Sequence, residues 1–184
     1  MKIEALDIPA VKLITPKKYI DTRGFFIETF RQTIFNDALN QEINFVQDNH
    51  SLSYKAGTIR GLHFQAPPHG QGKLVRCTHG SIIDVAVDAR QASPTYGQHV
   101  KVKLSAENNL QLWIPIGFLH GFVTLEPNTE VVYKVTNYYS KECDGNVLWN
   151  DRDLGINWGL DERTPILSEK DMNAPLFNDF KSPF

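Results

Sequence analysis

The sequence predicts an all-β protein, a sandwich or closed barrel with a few short helices at its periphery. Two observations support this prediction. From residue 45 to residue 137, short strand-like runs follow one another, and glycine, proline, asparagine or serine separates most of them. Neither a GxGxxG motif nor a P-loop occurs, so the chain lacks the signatures of the common βαβ nucleotide-binding folds.

The elements can be placed in order along the chain. Strands are expected at 10–14 and 24–30, before a short helix at 33–39 that Thr33 would cap. The composition changes after Asn150, and we expect this tail to wrap the barrel, with a short helix at 168–173. The remaining predicted strands are 45–49, 58–64, 73–78, 81–87, 99–104, 111–114, 121–125 and 129–137.

Length and composition restrict the possible classes of protein. A chain of 184 residues is expected to form one domain, 1–184. The net charge of −2 is spread over mixed acidic and basic residues, so no nucleic-acid partner is expected. No segment approaches the roughly 18 to 20 apolar residues of a membrane span. Without a signal-peptide pattern, and with only Cys77 and Cys143, a reducing cytoplasm is the expected location.

One stretch carries a proline, a glycine and a histidine at a distinctive spacing. Pro115, Gly117 and His120 resemble the second motif of the cupins, whose first motif supplies further metal ligands. His63 stands in the first ligand position of that motif, but Gln65 replaces the second histidine, and no glutamate follows at the expected distance. The sequence therefore predicts a cupin, or jelly-roll, β-barrel without a metal site.

A more specific resemblance covers the chain from about residue 9 to residue 175. Six motifs occur together and in order, and the set resembles dTDP-4-dehydrorhamnose 3,5-epimerases, cupin-fold enzymes of dTDP-L-rhamnose biosynthesis. They are Asp21-Thr22-Arg23-Gly24-Phe25-Phe26, Phe45-Val46-Gln47-Asp48-Asn49-His50-Ser51, Arg60-Gly61-Leu62-His63-Phe64-Gln65, Lys73-Leu74-Val75-Arg76-Cys77, Asp84-Val85-Ala86-Val87-Asp88 and Leu167-Ser168-Glu169-Lys170-Asp171.

The resemblance implies a catalytic set without a cofactor. Inverting the two carbons beside a ketone needs a base, an acid on the opposite side and a positive charge near the enolate. The family assigns the base to His63, its orientation to Asp171, the acid to Tyr133 and the enolate charge to Lys73. Strand alternation places Tyr133 with the apolar residues two positions away on either side, toward the interior. Asp84, in an apolar strand, is a second possible partner for His63.

The resemblance also implies a dTDP-sugar substrate and a homodimer. Within the family, the strand that corresponds to 23–28 crosses the dimer interface. The expected substrate-binding residues are Arg23, Phe26, Glu28, Gln47, Asp48, Asn49, Arg60, His120, Tyr138, Asp144 and Lys170.

Two questions remain open at the level of sequence. Strict alternation puts Arg60 and His63 on opposite faces of their strand, and only a bulge at Gly61 would bring them together. The function also has rivals: an epimerase that inverts only one carbon, and a sugar-nucleotide-binding cupin without catalytic activity. A metal-dependent cupin oxygenase is disfavoured by Gln65.

Overall fold

The structure, a computed structural model, describes residues 1–184, which form thirteen strands and three short helices. The helices are α1 Gln32–Leu39, α2 Glu169–Met172 and a 3-10 helix at Phe177–Asp179, and each is too short or too polar to span a bilayer. The strands are β1 Lys2–Ala5, β2 Lys12–Thr15, β3 Lys18–Asp21, β4 Gly24–Ile27, β5 Gln47–Ser53, β6 Ile59–Gln65, β7 Lys73–His79, β8 Ser81–Asp88, β9 His99–Ser105, β10 Gln111–Ile114, β11 Phe118–Thr124, β12 Thr129–Val135 and β13 Asp144–Asn146.

The strands form two main antiparallel sheets. The first sheet has six strands in the order β1-β2-β10-β7-β12-β5, and the second has five in the order β13-β6-β11-β8-β9. A separate hairpin pairs β3 with β4. The all-β prediction is confirmed, and the eight strands expected from residue 45 onward appear with ends shifted by up to four residues.

Apolar residues from both main sheets meet in one core. Val75 and Leu112 project from the first sheet, while Ile82 and Phe122 project from the second. All four are at most 4% exposed. Because side chains alternate along a strand, the residues between them face the outer sides of the sheets, and the cavity described below lies on the inner side with the core.

Different segments cover the outer faces of the two sheets. On the first sheet, Phe35 of α1 packs edge-on against Trp113, with ring centroids 5.3 Å apart. On the second sheet, Leu154 and Trp158 of the tail cover a cluster that includes Leu62. The tail therefore wraps the sandwich, as predicted from its change of composition.

The structure corrects several of the predicted elements, most of them near the N-terminus. β1 and β3 were not expected, since both are short and mostly exposed and show no alternating burial. The strand expected at 24–30 ends at Ile27, because β4 pairs only with β3. β13, an Asp-Gly-Asn segment, was also missed; it is a strand only through its pairing with β6. The predicted Thr33 cap is wrong: the helix begins at Gln32 after Arg31 and has no side-chain cap.

Candidate active site

A bulge in β6 brings Arg60 and His63 to the same cavity. Gly61 has φ +131°, and a Cβ added there would lie 2.5 Å from the backbone of β11. The ladder between the strands shifts at this point, since His63 pairs with His120 whereas Arg60 pairs with Phe122. Three residue steps on β6 thus match two on β11, which reverses the alternation. Both Arg60 and His63 line the cavity, as the bulge hypothesis requires.

His63 forms a dyad with Asp171 of α2. The Nε2 atom of His63 lies 2.6 Å from Asp171 Oδ1. Ser168, the N-cap of α2, donates from Oγ to Asp171 Oδ2 at 2.9 Å. Burial raises the pKa of Asp171, but hydrogen bonds from His63, Ser168 and the Gly61 backbone outweigh it, so the pKa lies below its ordinary value. Because a carboxylate only accepts, Nε2 carries the hydrogen, and Nδ1 keeps its lone pair.

A second histidine–aspartate pair lies deeper in the same sheet. His120 Nε2 is 2.6 Å from Asp84 Oδ1, and both residues are buried. Burial lowers the pKa of His120, despite the opposing charge of Asp84. The other carboxylate oxygen, Asp84 Oδ2, is buried without a hydrogen-bond partner. Asp84 is therefore the partner of His120, and Asp171 is the partner of His63.

Lys73 places an amine beside these two pairs. It begins β7 of the first sheet and lines the same cavity. Loss of solvent around the ammonium lowers the pKa of Lys73 to about 8, and the charges of Asp144 and Asp84 oppose this shift. Lys73 is thus cationic below about pH 8, and it can deliver its charge to a bound oxyanion.

Tyr133 faces His63 from the opposite sheet. It lies on β12 of the first sheet and packs against the core, as alternation predicts, whereas His63 lies on β6 of the second sheet. Burial raises the pKa of the Tyr133 hydroxyl, and the charge of Arg60 opposes the rise. The phenol therefore stays protonated near neutral pH, and Arg60 would stabilise a phenolate formed by proton donation.

These groups line one cavity of about 400 Å³. This volume lies within the range of about 300 to 1,000 Å³ that is typical of small-ligand sites. Groups from both sheets and from the tail surround a single space. The lining residues are Ser51, Thr58, Ile59, Arg60, His63, Lys73, His120, Phe122, Tyr133, Ile166, Leu167, Ser168, Lys170 and Asp171.

Comparison with known families agrees with this geometry. A family model described as dTDP-4-dehydrorhamnose 3,5-epimerase matches residues 5–179. The chain belongs to the dTDP-4-dehydrorhamnose 3,5-epimerase family. It is 53% identical over 171 residues to the dTDP-4-dehydrorhamnose 3,5-epimerase of Salmonella typhimurium, covering 93% of this chain and 92% of that one. With the Shigella flexneri enzyme it shares 50% identity over 179 residues, covering 97% of each.

Solved structures of 3,5-epimerases have the same fold. The crystal structure of the Legionella pneumophila 3,5-epimerase in complex with dTDP-4-keto-L-rhamnose matches with a TM-score of 0.93 at 44% identity, covering 98% of this chain and 94% of that one. A 3′-monoepimerase from Streptomyces bikiniensis, in complex with dTDP-quinovose, matches with a TM-score of 0.89 at 34% identity, covering 94% of this chain and 86% of that one. The predicted cupin-like fold is confirmed, and the fold alone does not separate double from single epimerases.

A second cavity of about 490 Å³ adjoins the first and contains further residues expected from the epimerase family. The two cavities share His63, Lys73, Tyr133 and Lys170. Lys170 Nζ lies 2.5 Å from Asp144 Oδ2. Of the residues expected to bind substrate, Gln47, Asn49, Asp144 and Lys170 line this second cavity.

Three of the expected residues lie on an exposed segment away from both cavities. Arg23 is at the turn of the β3–β4 hairpin and pairs with Asp21 at 2.6 Å. Phe26 is 68% exposed. Glu28 pairs with Arg31 at 2.6 Å. Within one chain, none of the three lines the cavity that contains His63.

Two other expected residues point elsewhere. Asp48 lies between Gln47 and Asn49 on β5, so its side chain faces the outer side of the sheet, where it pairs with Lys134 at 2.9 Å. Tyr138 follows β12 and is 64% exposed. The sequence motif at 45–51 included Asp48 among the binding residues, but strand alternation separates its side chain from those of its neighbours.

Two residues of the site were missed by sequence reasoning. Ser168 was recognised only as part of a motif, although its position three residues before Asp171 is the spacing of an N-cap serine. Tyr139 lines the second cavity, and its hydroxyl oxygen lies 3.2 Å from Asp144 Oδ2. No sequence signal distinguishes Tyr139 from the adjacent Tyr138, because their roles depend on how the loop folds.

Proposed function

We propose that the chain epimerises dTDP-4-keto-6-deoxy-D-glucose at C3 and C5, giving dTDP-4-keto-L-rhamnose for dTDP-L-rhamnose biosynthesis. One observation carries the catalytic assignment. A histidine with a free ring nitrogen and a partly buried tyrosine line one cavity from opposite sheets. Inversion of a carbon requires removal of a proton from one side and its return from the other, which opposed walls provide.

The proposed steps use only side chains of this chain. His63 Nδ1 takes the proton from C3 or C5, and the electron pair of the broken C–H bond moves to the ketone oxygen as an enolate. Asp171 stabilises the imidazolium through Nε2. The Lys73 ammonium stabilises the enolate oxygen, and Tyr133 returns a proton to the opposite face of the carbon. The Tyr133 phenolate then regains its proton from solvent, and His63 releases its own.

No metal is needed in this scheme. Lys73 supplies the positive charge that a Lewis acid would otherwise provide. The side-chain amide of Gln65, in the second ligand position of the cupin motif, is hydrogen-bonded to backbone groups of the loop 138–140 and of His69. Turnover should therefore survive treatment with a chelator; loss of activity that added metal restores would contradict this part of the proposal.

We further propose that the nucleotide occupies the second cavity. Lys170 of this cavity and Arg60 of the adjoining first cavity are suitable counter-charges for a diphosphate, and Gln47 and Asn49 provide amides in the second cavity. The Asp144 carboxylate is already paired with Lys170, so the loop carrying it is fixed against the tail. The substrate would thus span both cavities, with the sugar beside His63.

A homodimer would account for the hairpin residues. Arg23 and Phe26 lie on a hairpin whose apolar side chains are exposed, Phe25 at 57% and Phe26 at 68%. We propose that this hairpin reaches the site of a second copy and adds Arg23, Phe26 and Glu28 to its nucleotide-binding wall. Mixing Arg23→Ala and His63→Asn subunits should restore about a quarter of the activity, since random pairing gives half heterodimers with one intact site each. A mixture as inactive as its components would contradict a shared site.

Incubation with the 4-keto substrate in heavy water tests the reaction itself. Deuterium should enter at both C3 and C5, and the inverted sugar should form. Label at one carbon alone would instead identify a single epimerase, as the Streptomyces bikiniensis 3′-monoepimerase is, to which the chain is also similar. Tight binding of the nucleotide sugar without exchange at either carbon would indicate a non-catalytic binding protein.

Tyr133→Phe separates proton removal from inversion. Without the phenol, His63 should still exchange substrate protons with solvent, while the inverted product forms about 10² times more slowly. Both rates can be read from one NMR time course. Undiminished inversion would remove Tyr133 from the scheme.

We also propose that the protein is located in the cytoplasm. Both cysteines are unpaired, which suits a reducing compartment.

A further inference from the structure

Gln65 is a buried amide at the end of β6, two residues beyond His63. It is 4% exposed. Its Nε2 atom donates to the carbonyl oxygens of His69 and of Tyr138, the latter at 2.9 Å. Its Oε1 accepts from the Ser140 amide at 2.8 Å. One side chain thus ties together two loops that are separated by about 70 positions in the sequence.

The loop that Gln65 holds forms one wall of the second cavity. Tyr139 lies between the two residues whose backbone Gln65 binds, and it lines that cavity. Its hydroxyl lies 3.2 Å from Asp144, which also lines the cavity and pairs with Lys170. β13, which begins at Asp144, pairs with β6 at Gln65 itself. The wall is therefore fixed at its base by Gln65 and at its end by Lys170.

We propose that Gln65 is a positioning residue for nucleotide-sugar binding, holding the 138–144 loop so that Tyr139 and Asp144 form the wall of the second cavity. The inference rests on the proposed function, because it takes this cavity as the nucleotide site. Gln65 also lines this cavity, and its side chain makes no hydrogen bond to either member of the dyad. Its loss should therefore weaken binding and leave the chemical step nearly intact.

The chemistry of the three contacts explains why an amide is needed. Two carbonyl oxygens require two N–H donors, and one backbone N–H requires an acceptor; a primary amide supplies all three. A histidine, the usual residue here in metal-binding cupins, cannot make these contacts from one end of its ring. A methionine of similar shape would leave all three backbone groups without these hydrogen bonds.

The first test compares Gln65→Met with a matched control, Asn108→Leu. Asn108 also bonds three backbone groups of a loop, at Lys103, Ser105 and Leu110, but lines none of the described cavities. Gln65→Met should raise the Kd for dTDP and the KM for substrate by about tenfold, with kcat within about threefold of wild type. Asn108→Leu should leave all three constants unchanged while lowering the unfolding temperature.

The second test uses Gln65→Glu at several pH values. Near neutral pH a carboxylate would face two carbonyl oxygens, whereas the protonated acid would regain one donor and the acceptor. The ratio of the Kd for dTDP of this variant to that of wild type should therefore fall toward one as the pH is lowered from about 8 to about 5.5. A merely structural role would not produce recovery at acidic pH.

The outcomes separate this inference from the proposed function. If wild type and Asn108→Leu bind dTDP and turn over, but Gln65→Met and Gln65→Glu bind equally well, the positioning role is overturned and the epimerase function stands. A fall in kcat with unchanged Kd would also overturn it. If wild type itself binds no dTDP, both the proposed function and the role of Gln65 are overturned.

Discussion

The two histidine–aspartate pairs have the same geometry and opposite surroundings. In each, Nε2 lies 2.6 Å from a carboxylate oxygen, and the two histidines are cross-strand neighbours. The His63 side chain is 32% exposed, whereas that of His120 is 9% exposed. Asp171 also accepts a hydrogen bond from Ser168, while Asp84 keeps one buried oxygen without a partner.

This difference assigns different roles to the pairs. His63 is held by a satisfied carboxylate and opens to the cavity, which suits a base that must meet substrate. His120 is held neutral by burial. The unsatisfied charge of Asp84 acts elsewhere, since it raises the pKa of Lys73 against the effect of burial. In the proposed mechanism the outer pair moves protons, and Asp84 of the inner pair helps Asp144 to maintain the charge of Lys73.

The largest expected effect comes from matched substitutions of the two histidines. Asparagine can still donate to the aspartate but cannot accept a proton. His63→Asn should lower kcat by about 10³-fold or more, and His120→Asn by at most about tenfold. Product formation under saturating substrate measures both. Equal losses would erase the proposed distinction between the pairs.

An intermediate effect concerns the alkaline limb of the pH profile. Lys73 must be protonated, so activity should fall above its pKa of about 8. Asp84→Asn removes a charge that raises this pKa, so the limb should move toward lower pH. Asp171→Asn should lower kcat without moving the limb, because Asp171 is not among the charges acting on Lys73. A limb that stays in place in Asp84→Asn would contradict the assigned role.

A smaller effect is expected at Ser168. Ser168→Ala removes the hydrogen bond to Asp171 Oδ2 and the N-cap of α2. Without this hydrogen bond, Asp171 should orient His63 less well, which should lower kcat about three- to tenfold. Loss of the N-cap should lower the free energy of unfolding by about 1 kcal/mol. Ser168→Thr, which keeps the hydroxyl, should recover most of the rate. Rates that do not differ between the two variants would argue against a positioning role.

The smallest effect is on stability. Burial lowers the pKa of His120 from 6.5, so below that pH the unfolded chain binds a proton that the folded chain does not. The folded state should lose stability as pH falls through this window, by at most about 1.4 kcal/mol per pH unit. In His120→Asn the free energy of unfolding should change less between about pH 7 and about pH 5.5 than it does in wild type. Urea unfolding at both values measures it; parallel curves would contradict a neutral buried His120.

The sequence predicted the parts of this comparison that depend on local pattern. Alternation placed Tyr133 toward the core, and the bulge at Gly61 follows from a glycine between two residues that must share a cavity. Whether Asp171 or Asp84 is the partner of His63 was left open, because cross-strand register is not readable from one strand. Register pairs His120 with His63 and Phe122 with Asp84, and only the packed sheet shows which aspartate reaches which histidine.

Regions held by long-range contacts were the least predictable. β3 is exposed throughout, so no burial pattern marks it. The 138–144 loop takes its shape from Gln65, whose role in the sequence was only to interrupt a metal motif. The wall that includes Tyr139 therefore depends on a contact between distant positions, which composition and periodicity do not encode.

Position-resolved exchange in heavy water tests the central claim most directly, with His63→Asn and His120→Asn measured side by side after nucleotide-sugar binding has been verified for each. His63→Asn should incorporate no deuterium at C3 or C5, while His120→Asn should incorporate it at both carbons. Exchange at a normal rate in His63→Asn, or its loss only in His120→Asn, would show that the inner pair rather than the outer pair removes the protons.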